Sequence, residues 1–116
     1  MTTQKYAGAD LYVDSADPAR VVAALRKRWG VEPSFGSFTL PGFSVDVSKH
    51  RAYSRDVAPE HFLGWRTLIG IDADSDTSDA AMVNFVADLI LYLAAAGFRS
   101  AAACRFEDEL ALLTEP

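Results

Sequence analysis

A chain of 116 residues, half of them hydrophobic and 23% charged, is long enough to bury a core of its own as one domain over 1–116, and its composition excludes global disorder. Its net charge of −5 opposes nucleic-acid binding and favours a basic protein partner. A single cysteine, Cys104, rules out an intramolecular disulfide and fits a reducing, cytoplasmic compartment.

Residues 1–8 are polar and read as a frayed end, with no basic segment followed by an apolar one, so no secretion signal is expected. Leu11 and Val13 then alternate with Asp10, Tyr12 and Asp14, the period of a half-buried strand. Asp17 followed by Pro18 supplies an N-cap and a proline suited to the first helical position. Val21, Val22, Leu25 and Trp29 recur at helical spacing, and Gly30 provides a left-handed stop, so a helix is expected over 18–29. The basic run Arg26, Lys27, Arg28 falls in its last turn, where cations suit the helix dipole.

Two short strands follow, 35–40 and 43–48, with Pro41 and Gly42 placed for the centre of a type II turn. Residues 49–60 form the longest expected loop, of the kind that often carries function. A strand over 62–72 puts Leu63, Trp65, Thr67, Ile69 and Ile71 on one face. The other face, with Phe62, Arg66, Leu68 and two glycines, is mixed, as in a central strand with partial cover. A long helix over 77–96 is apolar at Met82, Phe85, Val86, Leu89, Ile90 and Leu93 and ends at Gly97. Asn84 and Asp88 interrupt it, and its apolar tract is shorter than the about 20 residues a membrane span needs. A last strand over 100–106 runs into Glu107, Asp108 and Glu109.

The order β-α-β-β-β-α-β predicts an α+β fold: an antiparallel sheet of four to five strands with two helices on one face, as in a ferredoxin-like α/β plait.

Several groups invite chemistry. Asp72, Asp74 and Asp76 stand like the first ligands of a calcium loop, but the next positions carry Thr77 and Val83 in place of the glycine and bidentate glutamate. The local alternative is that Asp76 or Thr77 caps the following helix and Asp79 sits in its positive first turn. His50 and His61 lie eleven residues apart, a spacing that fits no compact metal motif. Cys104, among alanines on a strand, reads as a small core residue. No phosphate loop, nucleophile elbow or dinucleotide fingerprint occurs. No metal, cofactor or catalytic residue is therefore assigned.

Residues 102–110, Ala102-Ala103-Cys104-Arg105-Phe106-Glu107-Asp108-Glu109-Leu110, form an "AAC-x-FEDEL" run that resembles a group of small actinobacterial proteins. Tyr12-Val13-Asp14 and Val45-Asp46-Val47 are similar to strands of the same group. The resemblance implies a small cytosolic protein of the kind that acts as immunity protein to a secreted toxin, and it carries over no catalytic residues.

The expected function is thus a non-enzymatic, antitoxin-like binding protein that covers the active site of a basic partner toxin. Its contact candidates are Glu107, Asp108, Glu109, Asp72 and Asp74, with His50, Tyr53 and His61 from the long loop. Two alternatives stand beside it. One is a small enzyme or ligand-binding domain using the uncovered sheet face; the other is a structural module that dimerises. The chain itself is expected to be a monomer or a weak homodimer.

Overall fold

Alternating apolar and polar residues shape three of the strands, β1 (Gly8–Val13), β3 (Phe43–Lys49) and β4 (Thr67–Ala73), so each presents one buried side. The computed structural model describes residues 6–49 and 65–114. Over those residues, β2 (Ser37–Leu40) and β5 (Ser100–Ala103) complete a five-stranded sheet in the order β2-β3-β4-β1-β5, antiparallel at every pairing. Three helices accompany it: α1 (Pro18–Trp29) after β1, α2 (Asp79–Ala95) after β4, and α3 (Glu107–Thr114) after β5.

The register explains where the core lies. Leu11 stands opposite Ile69 on β4 and Ala102 on β5, and Ile69 in turn stands opposite Val47 on β3. These residues share one face with Val13, Val45 and Phe38. They join Val21 and Leu25 of α1, Met82, Val86, Leu89 and Leu93 of α2, and Leu110 of α3 in one hydrophobic cluster. An aromatic row ties four elements together. Phe43 stacks on Phe85 at 4.0 Å between centroids, Phe85 on Trp29 at 5.9 Å, and Trp29 meets Phe38 edge-on at 5.1 Å. The Tyr92 hydroxyl donates to the Ala24 carbonyl at 2.7 Å, fastening α2 to α1.

The opposite face carries Asp10, Tyr12, Ser44, Asp46, Leu68, Gly70 and Asp72. β4 lies between β3 and β1, the central place its mixed second face implies.

α1 begins and ends, and α2 ends, as their sequences require. Asp17 accepts from the Ala19 N–H at 3.0 Å, Pro18 opens α1, and Gly30, at φ 64°, returns its N–H to the Arg26 carbonyl. At the end of α2 the Gly97 N–H reaches Ala94 and the Phe98 N–H reaches Leu93, the paired bonds of a Schellman motif.

The structure departs from the sequence expectations at four places. The cap of α2 is Ser78, whose Oγ accepts from the Ala81 N–H at 3.1 Å, while Thr77 donates its hydroxyl to Gly42. β2 starts at Ser37 because Phe35 and Gly36, at φ 51° and 80°, form a tight turn between Ser34 and Ser37. β4 starts at Thr67, with Trp65 buried ahead of it. The helices number three: β5 stops at Ala103, and the acidic cluster expected at a strand end opens α3. Phe106 and Leu110, four residues apart, are both buried, which a helix achieves by placing them on one side. Among the described residues no helix is long and apolar enough to cross a membrane.

Candidate functional site

Three carboxylates at the start of α3 complement the positive end of that helix. Glu107 also reaches back three residues and accepts from the Cys104 N–H at 3.2 Å, tying the turn ahead of α3 to its first residue. Asp108 points to solvent. Glu109 has a further role, set by a residue from the other end of the chain.

Tyr6 enters just ahead of β1. Its ring packs on Phe106 with centroids 4.8 Å apart, and its backbone N–H donates to Asp79 Oδ1 at 3.0 Å. Its phenol is raised above the ordinary tyrosine range, first by a hydrogen bond to the Glu109 carboxylate, then by desolvation and by the negative charges of Glu109, Asp79 and Cys104. One residue thus meets the first-turn carboxylates of both helices, Asp79 of α2 through its backbone N–H and Glu109 of α3 through its phenol.

Between them runs a groove of about 370 Å³ lined by Tyr6, by the apolar Ala80, Val83, Leu112 and Leu113, and by the polar Asp79, Asn84 and Glu109. Leu112 is 84% exposed and Leu113 48%, and they are two of four large exposed hydrophobic residues in the described chain. Among the described residues none that lines the groove is basic. It therefore offers apolar area for burial together with negative charge.

The other acidic candidates lie elsewhere. Asp72 sits on the sheet face opposite the described helices, beside Asp10, Gly8 and Gly70 in a depression of about 260 Å³. Asp46 stands opposite Gly70 across the β3–β4 pairing. Asp74 belongs to the turn into α2, where its N–H donates to Gly42 and its carbonyl accepts from Thr77. Asp72 and Glu109 therefore do not form one site. Among the described residues no group of three His, Cys, Asp or Glu side chains is placed to hold a metal ion. His50, Tyr53 and His61 lie outside the described residues. Cys104 packs partly buried against the core, and desolvation pushes its thiol up, with the Glu107 charge adding to the effect.

A third cavity, of about 290 Å³, opens between α1 and α2 beside Arg28, Trp29, Phe85 and Tyr92. Trp29 and Phe85 belong to the core row, and Arg28 lies over the Tyr92 ring at 5.5 Å.

Of the contact candidates named from the sequence, Glu109 lines this groove, whereas its neighbours Tyr6, Asp79, Val83, Leu112 and Leu113 were not among those candidates. One signal was available: an acidic triplet followed by apolar residues is a helix start, and Phe106, Leu110 and Leu113 then recur at helical spacing.

What the fold and groove define is an α+β chain with an antiparallel sheet backed by helices and a cleft of apolar and acidic residues on the helical side. No family model, curated protein or solved structure matches it.

Proposed function

We propose that this chain is a non-enzymatic, cytoplasmic binding protein of the immunity type, which captures a basic protein partner and neutralises it by covering its working surface. One observation carries the reading: the groove between α2 and α3 is lined by Leu112, Leu113 and Val83 together with Asp79 and Glu109. Apolar side chains in a partly enclosed groove supply the burial from which interface affinity comes. The carboxylates beside them select a cationic partner and speed its approach. The net charge of −5 extends the same field over the molecule. The resemblance of residues 102–110 to small actinobacterial proteins points the same way. In this reading β3, β4, β1 and β5 with α1 and α2 form a ferredoxin-like plait, and β2 and α3 are additions to it.

The test is co-expression with the product of the neighbouring gene. A stable complex and relief of that product's toxicity are expected, with association slowing as ionic strength rises. Absence of both complex and relief refutes the proposal.

A further inference from the structure

We infer that the groove between α2 and α3 is a receptor for an amphipathic basic helix, contributed by the partner and lying across Leu112 and Leu113. The inference rests on the binding reading above and adds the form of the bound segment.

Two features fix that form. Apart from Tyr6, the groove is lined by residues of two helices, α2 and α3. Neither helix offers a strand edge on which an extended peptide could add, so side chains make most of the contact. That is the helix-in-groove mode, with apolar anchors at i, i+3 or i+4, and i+7. α3 has eight residues, which at about 1.5 Å per residue gives roughly 12 Å of wall, enough for about two turns of a bound helix.

Charge then selects the occupant. A second copy docking groove to groove by two-fold symmetry would bring the Asp79 and Glu109 of both chains into one interface. Like charges so placed repel. Nucleic acid is repelled by the same carboxylates. A helix with Lys or Arg flanking its apolar stripe meets them with opposite charge while its stripe covers the two leucines. Leu112, 84% exposed, adds almost nothing to folding by burial in the free protein, so removing it tests binding without unfolding the chain.

The experiment uses the full chain and three 14-residue fluorescent peptides, read by anisotropy and by amide shift perturbation. The first is a Leu/Lys peptide with leucines at helical spacing, the second its Leu/Glu counterpart, and the third the Leu/Lys peptide with two central prolines. Binding is expected for the first alone, with shifts centred on Val83, Glu109, Leu112 and Leu113. The double variant L112S/L113S should weaken it by at least about tenfold, as expected when anchoring apolar side chains are lost. Asp46→Asn, on the sheet face opposite the described helices, should leave it unchanged.

Equal binding of the proline peptide means attraction by charge alone and overturns the helical occupant, as does unchanged affinity in L112S/L113S. If the Leu/Lys peptide fails while the neighbouring gene's product binds, the helical occupant is wrong and the binding reading stands. If neither binds, both fall.

Discussion

Phe35 gives the sharpest test of the local physics. It is the only non-glycine residue with positive φ among the described residues, at 51°, and Gly36 follows at 80°. Ser34 and Ser37 exchange two backbone hydrogen bonds of 2.9 Å around them. Two successive positive φ values closed by that pair make a type I′ turn, whose first central position favours Asn, Asp or Gly. For other L-residues the left-handed conformation costs about 1–2 kcal/mol. The ring is fully exposed, at 105%, so replacing it forfeits no burial. Phe35→Asn should therefore raise stability by about 1 kcal/mol, or Tm by roughly 3–6 °C for a domain of this size. Phe35→Ala keeps the strained backbone and should stay within about 0.5 kcal/mol of the parent. Phe35→Gly should gain less than Asn, because greater freedom of the unfolded chain takes back about 0.4–1 kcal/mol. Urea denaturation at constant m measures all three. An alanine variant as stable as the asparagine one would place the effect in the ring and refute the backbone argument. A loss of stability in Phe35→Asn would refute it outright.

Other expectations follow from burial, space and charge. Leu110→Ala and Leu89→Ala should each cost about 2–5 kcal/mol in urea denaturation, whereas Leu112→Ala should change stability by less than about 0.5 kcal/mol; similar losses at 110 and 112 would contradict the orientation of α3. Gly36→Ala should destabilise by more than about 1 kcal/mol, since a Cβ there would stand 2.8 Å from the Val47 carbonyl oxygen at a φ of +80°. Because the folded pKa of Tyr6 lies above its unfolded value, its contribution is fully present below about pH 10 and is lost as pH rises through the folded pKa. Stability of the parent should consequently fall more steeply than that of Tyr6→Phe above that pH, and parallel curves would deny the Tyr6–Glu109 link. With its thiol pushed up by burial and by Glu107, Cys104 should react with iodoacetamide at pH 8 more slowly than the same chain in urea.

Much of the fold was legible because local and tertiary signals agree. Asp17, Pro18 and Gly30 bound α1 from within the sequence, and Gly97 does the same for the end of α2. The two-residue period of β1, β3 and β4 named the buried faces correctly wherever those residues are described. The cap of α2 was harder, since Asp76, Thr77 and Ser78 can all cap. Thr77 is withdrawn by a bond to Gly42, a residue 35 positions earlier. Tyr6 was out of reach for the same reason. Its partners Asp79 and Glu109 come from the far half of the chain, and nothing in residues 1–8 marks it as anchored.

The acidic cluster was misread for a reason that can be put in energies. As a strand continued through 106, the chain would place Phe106 with Cys104 and Ala102 on the core face and carry the carboxylates beyond the sheet. As a helix it buries Phe106 at 1% exposure and Leu110 at 3% together, each worth roughly 1.5–3 kcal/mol, and the carboxylates fall in the first turn, where the dipole favours them. Helix formation therefore wins by about one large buried side chain. That choice also sets the phase of everything after it. With Leu110 turned inward, Leu112 lies about 200° around the helix axis and must face outward, while Leu113, at about 300°, can turn only partly in. A two-turn helix resting on a core by one side cannot bury all the apolar residues this one carries. Leu112 and Leu113 are exposed because Phe106 and Leu110 are not, and that is how an acidic helix start acquires the apolar wall a partner can grip.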